Sequence, residues 1–279
     1  MIPKPGKPAT EVTSYRPISL LPLLSKLFEK LLLQRLKPFL DETQIIPIHQ
    51  FGFRNNHSTI DQVHNITTLI EITLEEKQVC SSIFLDVAQT FDKVWHEGLL
   101  YKIELLLPTE YSRLLKSYLS DRYFRVKQED EYFGLKPIKA GVPQGSVLGP
   151  VLYLIYTSDL PQPEGTTVTT FANDTAIMVV GDDVEEATEK LQRAADKINN
   201  WTRQWLINLN EDKSTHVNFT NRMYHHIPII MNGKTIPHPE TAKYLSMTLD
   251  AKLRRKVHVK KKREKLGLKY KQMYCLMGR

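Results

Sequence analysis

The sequence contains no run of eighteen or more apolar residues, so it predicts no membrane-spanning helix. Its opening stretch, MIPKPGKPATEV, has prolines and lysines in place of the apolar core of a secretory signal. No internal repeat or low-complexity segment is evident along the 279 residues. From these absences we expect an intracellular protein, in the nucleus or the cytoplasm, that is neither secreted nor held in a membrane.

Cysteine and histidine are sparse or poorly spaced for metal binding. The two cysteines, Cys80 and Cys275, are far apart and outside any CxxC pair. This spacing argues against a disulfide partner or a zinc knuckle and suits a reducing compartment. The nine histidines form no HxxxH or HExxH motif, and we interpret His225 and His226 as inert residues of a surface loop.

Basic residues are concentrated near the C-terminus. Residues 252–271 hold eleven Lys or Arg and one Glu, whereas the rest of the chain has 27 basic and 30 acidic residues. Such a tail favours a polyanionic partner, but charge alone supports a solvated helix face equally well. The stretch KKKREK also matches a nuclear localisation pattern, which short basic runs often match by chance.

Helical and strand patterns alternate irregularly along the chain. LLSKLFEKLLLQRLKPFL and HSTIDQVHNITTLIEITLEEK have helical apolar spacing, and Ser58 with Asp61 three residues later predicts a capping box. QVCSSIFLDV predicts a buried strand ending at Asp86, and RYFRVKQEDEYFGLKPIKA predicts a hairpin. Strands interspersed with helices, without a regular βαβ rhythm, predict an α+β fold.

Further helices are predicted for HEGLLYKIELLLP, EYSRLLKSYLS and SVLGPVLYLIYTSDL, the last buried because it is apolar on nearly every side. In VEEATEKLQRAADKINNWTRQWL the apolar stripe includes Trp201 and Trp205. We interpret these tryptophans as core residues and not as a base-stacking surface. Asp182 and Asp183 stand where acidic side chains complement the dipole of this helix.

Two carboxylates occupy positions that suggest chemistry. Asp86 ends the predicted buried strand, and Asp174 follows Asn173 in FANDTAIMVV, at a predicted hairpin turn. A sheet that sets the strand end beside the hairpin tip brings both carboxylates together, and a cation would relieve their repulsion. Two Mg²⁺ ions about 3.5–4 Å apart can hold the attacking and leaving oxygens of a phosphoryl transfer. Taken alone, the Asn-Asp pair is better explained as an ordinary turn.

Other features favour a phosphate-bearing ligand. In AGVPQGSVLGP, glycines permit close approach of the backbone to a flat ligand, and Gln144 offers both a donor and an acceptor. Cations on an N-terminal arm, and a further one in FGFR, suit a triphosphate. These residues are Gly141, Gly145, Gly149, Lys4, Lys7, Arg16 and Arg54.

The chain resembles the reverse transcriptase domain of non-LTR retrotransposons, in particular the jockey-like elements of insects. The matching stretches are SYRPISLLPLLSKLFEKLLLQRL, HQFGFRNNHSTIDQV, FLDVAQTFDKVWHEGLLYK, AGVPQGSVLGPVLYLIYTSDLP, FANDTAIM, NEDKSTHVNF and KYLSMTLD. They follow the family's order and spacing, and the resemblance extends from Ile2 to Arg279. Such a collinear set is highly specific, whereas any single motif would be weak.

The resemblance implies the α+β right-hand fold of polymerases. It implies fingers over about residues 1–80 and 111–140, a palm over about 81–110 and 141–250, and the basic start of a thumb over 251–279. The implied activity is template-directed DNA synthesis on an RNA template from the 3′-OH of a DNA primer. Two Mg²⁺ ions and deoxynucleoside triphosphates are the implied cofactor and substrate.

The family's metal site is carried over residue by residue. Asp86 resembles the first metal-binding aspartate, Val87 would offer a backbone carbonyl to the same ion, and Asp174 belongs to the catalytic hairpin. Phe91 resembles the steric gate that excludes a ribonucleotide 2′-OH. A core aromatic is the alternative interpretation of Phe91, and both interpretations are compatible.

The nucleotide and primer contacts follow in the same way. Arg16 resembles the arginine that lies on the triphosphate, with Lys4 or Lys7 as its partner, and Gln144 and Gly145 resemble the loop that packs on the incoming nucleotide and the template. Lys213 resembles the lysine proposed to protonate the leaving pyrophosphate, and a solvated lysine is almost as good an interpretation. Arg54 is implied to contact the template or to have a structural role, and Tyr244 and Leu245 resemble the primer grip.

The chain departs from the family at the catalytic hairpin. The family has Phe-Ala-Asp-Asp where this chain has Phe-Ala-Asn-Asp, so Asn173 replaces the aspartate implied to touch both metals. Its amide is nearly isosteric with a carboxylate but neutral, and one edge of it is a donor. Reducing three carboxylates to two weakens metal binding, so we expect impaired catalysis. The alternative function is a catalytically dead nucleic-acid-binding protein that uses the basic C-terminal tail.

Other departures lie near the end of the chain. Ser246 stands where the family normally has glycine, which would strain a turn that needs positive φ. Arg254 and Arg255 stand where Thr-Trp is usual, and Cys275 replaces a frequent tryptophan. The first Met lies inside the family's domain, without the upstream endonuclease, and the thumb is barely begun. Together these features predict a truncated and partly degenerate copy.

Overall fold

The computed structural model describes residues 2–3, 8, 10–11, 14–128 and 131–274. Lys4, Lys7 and Cys275, which entered the sequence predictions above, lie outside the described residues. Within the described ranges, no helix is both long enough and apolar enough to cross a membrane.

Helices and short strands follow one another along the chain, as an α+β fold requires. The helices are α1 Leu23–Glu42, α2 Thr59–Glu75, α3 His96–Leu106, α4 Thr109–Leu119, α5 Gly149–Tyr156, α6 Val184–Gln204 and α7 Lys256–Tyr274. The strands are β1 Ile2–Pro3, β2 Tyr15–Arg16, β3 Val79–Leu85, β4 Tyr123–Phe124, β5 Lys127–Gln128, β6 Glu131–Tyr132, β7 Lys136–Pro137, β8 Thr166–Phe171, β9 Asp174–Gly181, β10 Thr215–Phe219, β11 Ile230–Met231, β12 Lys234–Thr235, β13 Thr241–Tyr244 and β14 Met247–Asp250.

Several local predictions are confirmed by hydrogen bonds. At the start of α2, Asp61 N–H donates to Ser58 Oγ at 3.2 Å, and Ser58 N–H donates to Asp61 Oδ2 at 2.9 Å. This is the predicted capping box, and its hydrogen bonds lower the pKa of Asp61. Two short ladders, β4 with β7 and β5 with β6, form the predicted hairpin.

The chain divides into two compact units, each with its own core. The first comprises Met1–Phe53, Val87–Leu160 and Trp201–Asn208. Its core is built by apolar faces of α1, α3, α4 and α5, and it includes Trp201 and Trp205 as predicted. Helix α5 is buried as expected but begins only at Gly149, because the residues before it form the turn around Gln144 and Gly145.

The second unit comprises Arg54–Asp86, Pro161–Asn200 and Leu209–Arg279 and contains a four-stranded antiparallel sheet in the order β10-β3-β9-β8. Strand β3 is buried at every position, as a central strand with covered faces should be. One face carries Phe84, Ala176 and Val217 into a cluster with α2 and the β13–β14 hairpin. This packing fixes the register that positions the end of β3 against the start of β9.

Candidate active site

The two carboxylates singled out from sequence meet at one end of the sheet in the second unit. Leu85 of β3 pairs with Thr175 of β9, so Asp86, just after β3, and Asp174, at the start of β9, leave adjacent strands at the same edge. The backbone of Asp86 is held on both sides, since its N–H donates to Ser214 Oγ at 3.1 Å and its carbonyl accepts from Asn210 N–H at 2.8 Å.

The β8–β9 hairpin turns one residue earlier than the sequence predicted. Phe171 pairs with Asp174, so Ala172 and Asn173 form the turn, and Asp174 is the first residue of β9. Ala172 has a φ of 57°, in the left-handed region that non-glycine residues seldom adopt. The expectation that Asp174 occupies the turn itself was therefore wrong, because the buried pairing of β9 with β3 sets the register.

The environment of Asp174 disfavours its charged form. Burial raises the pKa of Asp174, the negative charge of Asp86 raises it further, and the Lys243 ammonium partly opposes both effects. Two carboxylates that repel each other in a partly buried site are the arrangement that a divalent cation neutralises. Asn173 lines the same cavity but adds no charge.

The cavity that these residues share has a volume of about 700 Å³ and lies within the second unit. Lys213 is 60% exposed, and its Nζ lies 3.9 Å from Asp86 Oδ2. The sequence analysis missed Lys243. It lies on β13 between Ala242 and Tyr244, which are both buried, and its own side chain is exposed. The alternation of apolar and polar residues in AKY was the signal that could have identified it as a strand residue facing away from the core.

The proposed primer-grip residues play two different structural roles. Tyr244 is buried: its ring packs 5.3 Å from that of Phe84, and its hydroxyl accepts from Gln62 Nε2 at 3.3 Å. Burial raises the pKa of Tyr244, so the phenol stays protonated. Leu245 and Ser246 form the two-residue turn between β13 and β14 and line the cavity. The primer contact of Tyr244 and Leu245 remains a prediction.

The turn formed by Leu245 and Ser246 carries backbone strain. Their φ values are 42° and 69°, so both residues occupy the left-handed region. A two-residue hairpin with positive φ at both central positions strongly prefers glycine or asparagine. The glycine expected at position 246 from the family pattern therefore has a conformational reason here.

Replacing Ser246 with glycine is expected to raise the free energy of unfolding by about 1 kcal/mol. The left-handed conformation costs other residues roughly 1–2 kcal/mol, and the greater unfolded-state entropy of glycine offsets part of the gain. Denaturant titration of Ser246→Gly beside Ser246→Ala measures the effect, because alanine keeps the Cβ and should bring no gain. Equal midpoints for the two variants would contradict the strain argument.

In the first unit, the predicted nucleotide loop is held to the N-terminal arm. The backbone carbonyl of Gln144 accepts from Ser19 N–H at 2.8 Å, and the side-chain Nε2 of Gln144 donates to Asp92 Oδ1 at 2.8 Å. Gly145 has a φ of 97°, and a Cβ there would lie 3.2 Å from the Ser19 carbonyl oxygen. The loop therefore requires glycine at this point. Ser19, which the loop contacts, lies three residues after Arg16 of β2.

The other predicted residues are distributed between the units. Phe91 is half-buried, with its ring centroid 5.3 Å from Tyr153 and 6.1 Å from Phe53, so it belongs to the core of the first unit whatever its further role. The carbonyl of Val87, also in the first unit, accepts from Thr90 Oγ1 at 3.1 Å. Arg54 is half-buried in the second unit, shortly before α2.

The chain mixes helices and strands, and on its antiparallel sheet a strand-end carboxylate lies beside a hairpin carboxylate. These features define an α+β protein with the right-hand polymerase fold. The chain belongs to the reverse transcriptase (RNA-dependent DNA polymerase) family, whose model matches residues 2–249. The predicted resemblance to the reverse transcriptase domain of non-LTR retrotransposons is thereby confirmed. Membership of this family implies dependence on a divalent metal.

Relatives from mobile elements match the chain over its whole length. It is 40% identical over 289 residues to the probable RNA-directed DNA polymerase from transposon BS of Drosophila melanogaster, covering 100% of this chain and 32% of that protein. It is also 40% identical over 286 residues to the RNA-directed DNA polymerase from mobile element jockey of Drosophila melanogaster, covering 100% of this chain and 31% of that protein. The chain thus spans about a third of the length of these relatives.

Among solved structures, the chain resembles apo telomerase from Candida tropicalis truncated from its C-terminal domain. The TM-score is 0.55 at 14% identity, over 84% of this chain and 48% of that chain. At this identity the likeness concerns the fold alone.

Proposed function

We propose that the chain is an RNA-directed DNA polymerase domain that transfers nucleotides to a primer 3′-OH, and that Asn173 impairs it. The observation that carries the proposal is the meeting of Asp86 and Asp174 in one cavity that Lys213 also lines. An RNA template, a DNA primer and deoxynucleoside triphosphates are the proposed partners and substrates. The proposed location is inside the cell, in the nucleus or the cytoplasm.

The residues present fit divalent metal binding, with one weak position. Asp86 and Asp174 supply carboxylates whose mutual repulsion favours a cation, whereas Asn173 can supply only a neutral amide oxygen. We propose that the carboxylates of Asp86 and Asp174, with the backbone carbonyl of Val87, hold Mg²⁺. When bound, two Mg²⁺ ions would neutralise the triphosphate and polarise the reacting oxygens.

The remaining roles follow from position. The Lys213 ammonium, near Asp86, would donate a proton to the leaving pyrophosphate. The glycine-containing loop at Gln144 and Gly145 would pack on the nucleotide base, and the fixed ring of Phe91 would exclude a 2′-OH. Arg16, with Lys4 or Lys7, would bind the triphosphate.

The proposed regions of the polymerase are those that the family resemblance implies. We propose fingers over about residues 1–80 and 111–140, and a palm over about 81–110 and 141–250. Apart from the first two residues of β3, all strands of the four-stranded sheet fall in the proposed palm. Residues 251–279 would begin a thumb. Arg54 would contact the template or support the fold, and Tyr244 and Leu245, at the β13–β14 hairpin, would form the primer grip.

The test is primer extension by the purified chain on a defined RNA template, in Mg²⁺ and separately in Mn²⁺. Incorporation should obey the template and should be far slower than in an Asn173→Asp variant. Asp86→Asn should abolish it, because that change leaves a single carboxylate in the site. Template-directed extension that survives Asp86→Asn would refute the assignment of this cavity as the active site.

A second candidate function, nucleic-acid binding without catalysis, is favoured by α7. This helix has no buried residue, and Lys260, Lys261, Lys262 and Arg263 stand in one run on it. Its start is anchored, because His258 Nδ1 accepts from Thr248 N–H at 3.1 Å and Arg255 pairs with Glu71. An anchored helix that presents cations to solvent suits a phosphate backbone.

Neutralising Lys260 and Lys261 with glutamine is expected to weaken binding of an RNA–DNA hybrid and reduce its salt dependence. The slope of log K against log salt should become shallower by about 1 for each lysine that contacts a phosphate. Fluorescence anisotropy over a salt series measures this slope. The matched control is the Lys30→Gln, Lys197→Gln pair, which removes the same charge from exposed positions elsewhere. Equal slopes for the two pairs, or binding unaffected by removal of residues 252–279, would rule out the tail as the binding element.

A further inference from the structure

Three histidines that are far apart in sequence come together in the second unit. His216 lies on β10, His226 lies in the irregular segment 220–229, and His238 lies between β12 and β13. One ring nitrogen from each lies within 4.8 Å of the other two. The ring centroids of His226 and His238 are 4.0 Å apart, and those of His216 and His238 are 4.8 Å apart.

The hydrogen bonds around His216 define which nitrogen carries its proton. Its Nε2 lies 3.0 Å from both Ser81 Oγ and Asn218 Oδ1. Ser81 Oγ donates its own proton to Asn218 Oδ1 at 2.6 Å, so both oxygens are acceptors toward the ring. Nε2 therefore carries the proton, and Nδ1 carries a lone pair.

The lone pair on Nδ1 of His216 is buried. Within the described residues, Nδ1 of His216 has no hydrogen-bond partner, although the side chain is fully buried. A neutral imidazole whose other nitrogen is held by an acceptor is the usual state of a metal ligand.

His238 also has a buried ring nitrogen, and His226 is exposed. In the part of the chain that the structure describes, Nδ1 of His238 is likewise buried without a hydrogen-bond partner, while its Nε2 lies 3.1 Å from Tyr224 Oη. His226 is exposed, so its ring can turn without disturbing the core. Two unpaired nitrogens in one small space call for an explanation, since such groups are costly to bury.

We propose that His216, His226 and His238 form a binding site for a transition-metal ion of the zinc type. Imidazole nitrogens suit Zn²⁺, Cu²⁺ and Ni²⁺, whereas Mg²⁺ prefers oxygen ligands, so this site is chemically separate from the carboxylate cavity. A Zn–N bond of about 2.0–2.1 Å requires the three nitrogens to draw closer than they stand now. Rotation of exposed His226 off the ring of His238 supplies that movement, and a water would complete the tetrahedral shell.

The proposed ion would connect the loop to the catalytic sheet. Segment 220–229 has no regular secondary structure, whereas His216 is paired through β10 with Ile83 of β3, the strand that ends at Asp86. Thr215, one residue before His216, lines the carboxylate cavity. A metal bridge among three segments would therefore stabilise the edge strand beside the active site without touching the reacting groups.

Zinc titration of the full chain, stripped with EDTA and then kept in excess Mg²⁺, tests the proposal. A chromophoric chelator reports affinity and stoichiometry, and Co²⁺ in place of Zn²⁺ reports ligand geometry by its visible absorption. The key variant is His226→Ala, because an exposed residue can be changed without loss of the fold. His225→Ala is the matched control, being an adjacent and equally exposed histidine outside the cluster.

We expect one Zn²⁺ for each chain of the parent and of His225→Ala, and binding weakened by at least about 10-fold in His226→Ala. Zn²⁺ should raise the melting temperature of the parent and of His225→Ala but not of His226→Ala. Bound Co²⁺ should give the strong visible absorption bands of a tetrahedral site. Absence of stoichiometric binding, equal affinity in His226→Ala, or equal weakening in His225→Ala would each overturn the proposal. Binding abolished instead by Cys275→Ser would do the same.

Discussion

Asn173→Asp is expected to increase the rate of primer extension by this chain about 10²–10³-fold, the usual effect of one preorganised electrostatic group in an active site. Asn173 lines the cavity between the strand-end carboxylate of Asp86 and the hairpin carboxylate of Asp174. An aspartate there would place a third negative charge where the proposed site would hold two Mg²⁺ ions beside a triphosphate. The gain should be greatest at low Mg²⁺, where occupancy of the site limits the rate.

The same substitution should change stability in a metal-dependent way. Burial and the charge of Asp86 already raise the pKa of Asp174, so another carboxylate at the turn adds repulsion in the absence of a cation. We expect Asn173→Asp to melt at a lower temperature than the parent in EDTA and to gain more from added Mg²⁺. Thermal melts across a Mg²⁺ series measure this difference independently of catalysis.

Asn221→Asp is the matched control, because it adds the same charge at an exposed position that does not line the cavity. It should leave both the extension rate and the Mg²⁺ response unchanged. A parent chain that extends primers as fast as Asn173→Asp would show that the neutral side chain is no defect. A gain that persists when Asp86→Asn is added would show that the activity arises elsewhere.

Glu29→Ala is expected to lower the free energy of unfolding by about 1–3 kcal/mol, the range for a buried donor left unpaired. The Glu29 side chain on α1 is buried, and its Oε2 accepts from Val147 N–H at 2.5 Å and Leu148 N–H at 3.3 Å. Its Oε1 accepts from the Tyr118 hydroxyl at 2.8 Å. Burial raises the pKa of Tyr118 to about 12, so that phenol remains a donor.

These contacts support the start of α5, where Leu148 occupies the N-cap position and its side chain makes no capping hydrogen bond. The carboxylate of Glu29 thus takes the place of a cap and also complements the helix dipole. Loss of this support should loosen the adjoining turn at Gln144 and Gly145.

Denaturant and thermal unfolding measure the effect of Glu29→Ala, with Glu42→Ala as the control on the same helix. Glu42 is exposed, so its replacement should change stability by less than about 0.5 kcal/mol. Glu29→Gln should lie between the two, because the amide keeps one acceptor and turns a donor toward the remaining N–H groups. Equal stability of Glu29→Ala and Glu42→Ala would contradict the assigned capping role.

Much of the local structure could be predicted because its causes are local. The capping box of Ser58 and Asp61 depends on groups three residues apart, and the buried strand before Asp86 depends on a short run of apolar and small residues. Asp86, Asp174, Lys213 and Leu245 were named from motifs, and the structure places all four around one cavity.

Other features escaped sequence reasoning. The hairpin turn lies one residue away from its predicted place, since pairing of β9 with β3 overrides the turn preference of Asn-Asp. Lys243 was missed because its interaction with Asp174 depends on tertiary packing, which brings the β13–β14 hairpin to the cavity. His226 was interpreted as inert, yet it stacks on His238 beside His216.

The sequence by itself determined helices α1 to α6 and the central strand, because periodicity and short-range hydrogen bonding act within a few residues. Its motifs also named the two carboxylates and the neutral Asn173 beside Asp174. Only the tertiary structure decided that Glu29 supports α5 across 118 residues of sequence and that three histidines meet from three segments. Contacts of that kind depend on how strands and helices pack, and packing brings together residues whose spacing along the chain carries no periodic signal.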